Sequence, residues 1–588
     1  NSNNQKKAAM KALAEDCQAS ISDQDLSINN VRARILGSGD MWWDLDNARY
    51  EVPKGSGKHS MFAGSLWLGG LDQAGQLKLA AMTYRTRGVD FWPGPLDDQA
   101  SIDASTCRDY DRHWLIYKDQ VDIHRQWLEC KTNPDCDAGD RFPGYEGNVP
   151  LVIRDWPGNG PEGNKLAPFF EVDSSGTPGA YEWQYDYPGY YFGTETPECQ
   201  SKETDLLYGD ETIWWVYNDK GNKHTETQAG ALGFEIRAQA FAFASNDEIN
   251  NMTFNNYRII NKSTFKLDST YFGTWFDPDL GNSDDDIIGC DIARGLGYCY
   301  NAKSNDSGPR GYGLNPPAVG FDFFQGPFAD YNDGIDNDRD GCVDGVKRGD
   351  SCVAENPNLG INERIIMSGF MYYNRTGSGG VANTSDPTVA AEFYNYLRVT
   401  WKNGNNLVIE SPSGKGITTN GDGYTADGSG DKTFFAYPGL SYDTTGAYEP
   451  SQPIANGGWW ESPDNDADKR GLHSAGPFSL APGALNFITT GVVWARNFNS
   501  SDLFASVNDV ILADDKAQQL FDNCFEILEG PTTGSPVEIE IVELDRELIF
   551  KIKNAFNPAT IGYDQIDPRI AVPKDSAGND LWNAAQVD

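Results

Sequence analysis

The chain has 588 residues, of which 86 are Asp or Glu and 47 are Lys or Arg, so its formal net charge at pH 7 is −39. A protein this acidic repels nucleic acids and anionic membrane surfaces, which we therefore exclude as partners. Hydrophobic residues make up 39% of the chain, which excludes a disordered protein, and the length exceeds that of one ordinary core. The sequence contains no apolar run of transmembrane length.

The sequence predicts a mainly β fold from about residue 31 onward. Short runs rich in aromatic and β-branched residues alternate with turns of Gly, Pro, Asp and Asn, a pattern typical of strands. The clearest runs are residues 60–68, 233–245, 252–260, 269–275, 364–373 and 484–495. Two helices are predicted at residues 389–400 and 501–528. We expect a large domain of the β-sandwich type with a few helices.

Three regions are expected along the chain. Residues 1–35 contain a short helical segment at 5–16 and are interpreted as an N-terminal arm. Residues 36–530 form the large β-rich domain with acidic calcium loops. Metal ions and disulfides are expected to order its long polar insertions, which are residues 92–112, 130–180, 276–362 and 403–470.

A new pattern of alternating apolar and polar residues begins after Gly530 and Pro531. Residues 537–542 and 547–552 predict two alternating strands around a tight turn. We interpret residues 531–588 as the start of a small immunoglobulin-like module. The chain shows no obvious stop at Asp588, as expected of a fragment of a longer protein.

The ten cysteines indicate an oxidising compartment. No pair has zinc-ligand spacing, and three pairs lie close in sequence: Cys130 with Cys136, Cys290 with Cys299, and Cys342 with Cys352. We expect a disulfide within each pair, the alternative being reduced, buried thiols. The start at Asn1 without Met fits a mature protein whose signal peptide has been removed.

The most informative motif is the loop at residues 336–344, with the sequence DNDRDGCVD. Its spacing matches positions 1, 3, 5, 6 and 9 of a calcium loop, in which alternate carboxylates converge on one cation and Gly permits the sharp turn. Lys347 stands where position 12 usually carries Glu, so Asp350 or Glu355 would supply the missing oxygens. The alternative is a solvated acidic turn. The predicted calcium ligands are Asp336, Asp338, Asp340, Asp344 and the carbonyl of Cys342.

A second acidic cluster follows the strand that ends near Phe276. Like charges this close repel one another unless a cation lies among them. A second calcium site is therefore predicted here, although a solvated acidic loop explains the sequence nearly as well. Its predicted ligands are Asp277, Asp279, Asp284, Asp285 and Asp286.

No motif in the sequence indicates an enzyme. The five histidines have no zinc-ligand spacing, and no G-x-S-x-G elbow or complete phosphate-binding loop is present. Exposed aromatic residues could instead stack on sugars, and the candidates are residues 187–192 and the pairs Trp42-Trp43, Trp214-Trp215 and Trp459-Trp460. Tryptophans in a β-sandwich usually belong to the core.

A set of segments resembles the N-terminal region of large secreted proteins of Bacteroidota that are exported by the type IX secretion system. The segments are 50–58 (YEVPKGSGK), 62–70 (FAGSLWLGG), 90–95 (DFWPGP), 277–281 (DPDLG), 289–291 (GCD), 333–338 (DGIDND), 393–395 (FYN) and 476–480 (GPFSL). The resemblance covers most of residues 40–570. It implies a cell-surface or extracellular location and further immunoglobulin-like modules, and it supplies no catalytic residues.

The sequence thus predicts a secreted, calcium-stabilised protein of the outer cell surface with a structural or adhesive role. We expect it to assemble with itself, as a filament or surface layer, or with other cell-surface proteins. An N-terminal arm of about 30 residues is long enough to reach a neighbouring subunit, the alternative being an arm folded back on its own domain. The competing hypothesis is a secreted protein that binds or degrades glycans.

Overall fold

The structure is a computed structural model that describes residues 16–192, 206–349, 351–357, 361–377, 381–409, 421–442, 458–462 and 468–526, together with four strands beyond residue 537. The chain divides into two compact units, Asn1–Gln518 and Gln519–Asp588. The helix predicted at residues 5–16 lies outside the described residues except for Asp16, which is part of a bend.

The fold is mainly β, as predicted. In chain order the strands are β1 (Asp23–Leu26), β2 (Arg32–Leu36), β3 (Tyr50–Glu51), β4 (His59–Met61), β5 (Ala63–Asp72), β6 (Leu77–Ala80), β7 (Trp92–Pro93), β8 (Trp114–Tyr117), β9 (Phe169–Glu171), β10 (Asp186–Pro188), β11 (Glu211–Asn218), β12 (Phe234–Ala242), β13 (Thr253–Asn261), β14 (Leu267–Asp277), β15 (Asp286–Asp291), β16 (Leu296–Asn301), β17 (Asn305–Asp306), β18 (Gly313–Leu314), β19 (Ala318–Gln325), β20 (Gly345–Arg348), β21 (Ser351–Ala354), β22 (Gly369–Asn374), β23 (Val408–Ile409), β24 (Asp431–Lys432), β25 (Lys469–Leu480), β26 (Leu485–Ala495), β27 (Glu538–Leu544), β28 (Glu547–Lys553), β29 (Gln565–Ile566) and β30 (Gln586–Val587). The described helices are α1 (Ala104–Asp109), α2 (Lys118–Thr132), α3 (Ala138–Arg141), α4 (Leu151–Arg154), α5 (Ala390–Leu397) and α6 (Ala505–Asp522).

Two antiparallel sheets organise the larger unit. The large sheet has nine strands in the order β15-β16-β19-β26-β13-β12-β11-β7, with β8 also paired to β11. The small sheet has the order β22-β25-β14-β5-β6. Side chains of both sheets share one hydrophobic core, in which Phe276 of β14 stacks on Phe321 of β19 with ring centroids 5.2 Å apart. This face-to-face packing is that of a β-sandwich.

Strand β11 shows why several strands of this chain are apolar on both faces. Successive side chains of a strand point to opposite faces of the sheet. Trp215 and Tyr217 accordingly lie in the core between the sheets. Trp214 and Val216 lie in a second core, to which the segment from Trp114 to Leu207 contributes. The sheet is therefore covered on both sides at this strand.

Apart from the helix at residues 5–16, the strands and helices predicted from the sequence are confirmed, with ends that differ by up to about six residues. Each of the six predicted runs overlaps a strand of the two sheets or of β4, and the two predicted helices correspond to α5 and α6. In the smaller unit β27 pairs with β28, where two strands were predicted. The predicted insertions also contain helices that the sequence analysis missed, among them α1, which Asp103 caps by accepting from Ser105 N and Thr106 N.

Two of the three predicted disulfides are present, and one prediction was wrong. Cys130 is bonded to Cys136, and Cys342 to Cys352. Cys290 and Cys299 are buried and not joined, because the register of β15 and β16 sets Cys290 opposite Gly297 and Cys299 opposite Ile288. Diagonal neighbours in a sheet are roughly 7–8 Å apart, beyond the usual Cα separation of a disulfide.

The start of the larger unit is tied down by a disulfide that the sequence did not predict. Cys17 is bonded to Cys107, a separation of 90 residues. Strand β1 then pairs with β2 and leads into a four-stranded sheet with β3 and β4. The second half of the predicted N-terminal arm is therefore built into the larger unit.

A buried pair of carboxyl groups joins α6 to the large sheet. Asp322 of β19 and Asp514 of α6 are both buried and interact electrostatically, and Asp322 Oδ2 and Asp514 Oδ1 have no hydrogen-bond partner among the described residues. Burial raises the pKa of both groups, and for Asp514 the neighbouring Asp322 raises it further. Two neighbouring buried carboxyl groups avoid like-charge repulsion only when one of them is protonated, so we infer that the pair holds one shared proton.

Replacing Asp514 by Asn is expected to stabilise the protein in alkaline buffer. The folded-state pKa values lie above the ordinary value near 4, so the stabilisation from the shared proton is complete below about pH 4 and is lost as the pH rises. The variant should melt roughly 2 °C higher than the wild type at about pH 8.5, with a smaller gain at about pH 5, as measured by calorimetry.

Asp515→Asn is the matched control, because the carboxylate of Asp515 pairs instead with Arg294 at 2.8 Å. An equal alkaline gain in this control, or no gain for Asp514→Asn, would contradict the shared proton.

Candidate metal centre

The predicted calcium loop folds as a tight turn that leads into a hairpin. Gly341 has a φ of +92°, a conformation that residues with a side chain rarely adopt, as expected for the Gly of such a loop. Strands β20 and β21 follow directly and pair with one another. The Cys342–Cys352 disulfide, with Cα atoms 5.5 Å apart, links the loop to the second strand of this hairpin.

Three carboxylates converge at this loop. Asp336, Asp338 and Glu363 each offer an oxygen, and these oxygens all lie within 4.8 Å of one another. Glu363 was not predicted as a ligand. It is held in place because its backbone N–H donates to Glu355 Oε1 at 2.8 Å and its carboxylate accepts from the backbone N–H of Asn337.

Asp336 and Glu363 are buried, Asp338 is half-buried, and no basic side chain that the structure describes balances their charge. Asp336 is 5% exposed and Glu363 is 1% exposed. Asp336 Oδ2 accepts from Gly341 N at 3.0 Å, whereas its buried Oδ1 has no hydrogen-bond partner. No Lys, Arg or His in the described part of the chain forms an ion pair with Asp336, Asp338 or Glu363. A buried carboxylate oxygen without a partner is costly, and a bound cation would remove that cost.

The same surroundings shift the pKa values of two of these carboxyl groups. Burial, and then the carboxylate of Asp340, raise the pKa of Asp338 to about 7. Burial, and then the carboxylate of Asp338, raise the pKa of Glu363 to about 8. At neutral pH a cation therefore competes with protons for these oxygens.

The other predicted residues of this loop have different surroundings. Asp340 accepts from the backbone N–H groups of Cys342, at 2.8 Å, and of Lys347, and so shapes the turn. Asp344 accepts from Gly334 N at 2.8 Å and forms a second carboxylate group with Glu355 and Glu363. Asp350 or Glu355 had been predicted to supply the missing oxygens, and Asp350 lies outside the described residues. The ligand role of the Cys342 carbonyl stays a prediction.

In the structure, the predicted ligands of the second acidic loop do not lie in one place. Asp277 and Asp279 form a carboxylate group with Asp468, which the sequence analysis did not identify. Arg470 lies among these groups, with its Nε 3.5 Å from Asp277 Oδ1 and its Nη1 hydrogen-bonded to Asp468. Protein charge therefore already offsets part of this cluster, and calcium binding here stays a hypothesis.

The three consecutive aspartates of the second loop, Asp284, Asp285 and Asp286, lie apart from this carboxylate group. Asp284 is exposed, Asp285 is buried, and Asp286 Oδ2 accepts from Leu280 N at 3.0 Å. In the described part of the chain none of the three belongs to a carboxylate group with Asp277 and Asp279.

Comparison with known proteins does not assign the chain to a family. The chain matches no protein-family model, and no curated protein is significantly similar to it. Among the described residues, no helix has the length and apolar character needed to cross a membrane.

Replacing Asp338 by Asn is expected to raise the melting temperature of the cation-free protein. The raised pKa values mean that the stabilisation from these carboxyl groups is complete below about pH 4 and is lost as the pH rises through the folded-state values. Removing one charge should therefore raise the melting temperature in EDTA by roughly 1–3 °C at about pH 8 and by less at about pH 5. Circular dichroism melting curves measure both shifts.

Asp284→Asn removes one exposed charge from the other acidic loop and serves as the control. A gain of the same size in this control would mean that the effect reflects net charge rather than the buried group.

Proposed function

We propose that the chain is a calcium-stabilised structural or adhesive protein of the extracellular space or outer cell surface. The observation that carries the proposal is the largely buried group of Asp336, Asp338 and Glu363, which has an unpaired oxygen and no ion pair with a basic residue that the structure describes. Calcium is the favoured cation because it accepts several carboxylate oxygens in irregular geometry. Magnesium demands a stricter octahedron and retains more of its water.

The disulfides support the proposed location. Three of them lie within the described residues, and bonds of this kind persist in oxidising compartments. One is part of the carboxylate loop itself, so the same segment would be restrained by both a covalent bond and a metal. Long loops stabilised in this way suit a protein that works outside the cell.

Binding of calcium should stabilise the folded protein, and Glu363→Gln should remove most of that effect. A cation that binds only the native state adds about 2.7 kcal/mol when its concentration is 100 times its dissociation constant. We expect calcium to raise the melting temperature of the wild type by several degrees and EDTA to reverse this, while calorimetric titration reports the stoichiometry. Glu363→Gln keeps the side-chain size but loses a ligand charge.

Asp284→Asn should retain the calcium response, because Asp284 is exposed and lies outside the carboxylate groups. If calcium leaves the melting temperature of the wild type unchanged at saturating concentration, the proposed metal site is wrong.

Two exposed apolar side chains near Arg496 support the assembly part of the proposal. Leu314 and Phe498 are 73% and 68% exposed. Both contact Arg496, whose guanidinium donates to Leu314 O at 2.9 Å and lies 4.6 Å from the centre of the Phe498 ring. Large side chains left in water at neighbouring positions are typical of contact surfaces.

The double variant Leu314→Ser, Phe498→Ser is expected to weaken self-association while leaving the fold intact, because both side chains are exposed. Sedimentation velocity over a concentration series measures the loss. Leu151→Ser is the control, since Leu151 is 69% exposed at another position. A wild type that stays monomeric throughout the series would contradict self-assembly and leave the metal proposal standing.

The tryptophan pairs do not favour the competing glycan hypothesis. Trp42, Trp43, Trp214, Trp215 and Trp459 are buried core residues, and Trp460 is half-buried and packs its ring 4.9 Å from that of Phe504.

A further inference from the structure

Glu363 belongs to two carboxylate groups at the candidate calcium loop. In one group its carboxylate converges with those of Asp336 and Asp338, and in the other with those of Asp344 and Glu355. Within each group the three oxygens lie within 4.8 Å of one another. Glu363 is 1% exposed, so the residue that the two groups share is buried.

The spacing of the oxygens separates the two groups. Calcium–oxygen distances are about 2.3–2.6 Å, so two oxygens on one ion are at most about 4.6–5.2 Å apart. Each group therefore fits the coordination shell of one ion. Among the described residues, no carboxylate group of this spacing joins the two sets except through Glu363. The carboxylates are thus arranged around two positions rather than one.

One divalent cation would leave most of the charge of this cluster uncompensated. The two groups together contain five carboxylates, and no Lys, Arg or His in the described part of the chain forms an ion pair with any of them. Glu355 is only 7% exposed, so water compensates its charge poorly, as it does that of Glu363. A single calcium ion offsets two of the five negative charges, and a second ion offsets two more. The charge count therefore favours two ions.

An unsatisfied oxygen gives independent evidence that a ligand is missing from this cluster. Asp336 is 5% exposed, and its buried Oδ1 has no hydrogen-bond partner among the residues that the structure describes. Buried carboxylate oxygens normally have a partner, so this atom indicates a bound cation. Because Asp336 and Glu363 belong to the same group, that cation would also contact the residue that both groups share.

Backbone donors fix the ligands of the second group and still leave room for a metal. Glu355 Oε2 accepts from Asn332 N at 3.1 Å, and Glu355 Oε1 accepts from Glu363 N at 2.8 Å. Asp344 Oδ1 accepts from Gly334 N at 2.8 Å. A carboxylate oxygen has two lone pairs, so each of these oxygens can also bind a cation. The second group is therefore held in place by the protein itself.

We propose that the loop binds two divalent cations, with the carboxylate of Glu363 shared between them. Asp336 and Asp338 bind the first ion, and Asp344 and Glu355 bind the second. Calcium suits both positions because it accepts about six to eight oxygens in flexible geometry, so that backbone carbonyls and water complete each shell. The inference rests on the proposed calcium site and adds a second ion to it.

Native mass spectrometry counts the ions on the full chain after it has been stripped with EDTA and titrated with calcium chloride. The wild type should hold two, and calorimetric titration at about pH 7.5 should give both affinities. Asp344→Asn should weaken one site at least about tenfold because it removes a ligand charge. Asn keeps the oxygen that accepts from Gly334 N, and Asp344 is half-buried, so this variant should fold. Asp284→Asn is the control and should bind both ions as the wild type does.

Glu355→Gln is a second test of the same position, and it should retain the first ion and the stabilisation that this ion provides. A wild type that binds one ion would overturn the inference and leave the proposed calcium site standing, whereas a wild type that binds none would overturn both. Two ions with unchanged affinities in Asp344→Asn and Glu355→Gln would place the second ion elsewhere and would equally overturn the inference.

Discussion

The structure depends on how buried carboxylates are compensated. Removing an ionised carboxylate from water costs several kcal/mol, and a fold can bear that cost only by supplying a counter-charge, a proton or a set of N–H donors. This chain buries many of them while carrying 39 more acidic than basic charges. The fold must therefore place its basic side chains beside the acidic side chains that it buries.

Several buried acids are balanced by basic side chains of the protein itself. Arg85 pairs with Asp40 at 2.7 Å, and Lys469 with Glu461 at 2.8 Å. The ring of His224 lies within hydrogen-bond distance of two carbonyl oxygens, with Nδ1 2.8 Å from Leu79 O and Nε2 2.7 Å from Asp219 O. Two buried carboxylates flank that ring, those of Asp90 and Asp219.

The candidate calcium loop meets the same requirement in another way. Its converging carboxylates have donors from the backbone but no ion pair among the described residues, and one oxygen of Asp336 has no partner. An external cation would provide what Arg470 provides for Asp277 and Asp468.

The sequence by itself determined the mainly β class, the positions of the principal strands and the acidic loop, because each depends on spacing within a few residues. Helix α2 could also have been predicted from the sequence, because its buried residues Val121, His124 and Trp127 have helical spacing. The many strand-like runs around it made this spacing hard to recognise. The disulfide of Cys342 and Cys352 followed from proximity alone. The tertiary structure alone decided the pairing of Cys17 with Cys107, the register that keeps Cys290 and Cys299 apart, and the arrival of Glu363 at the loop. Each of these depends on how distant segments pack, and local periodicity does not encode that packing.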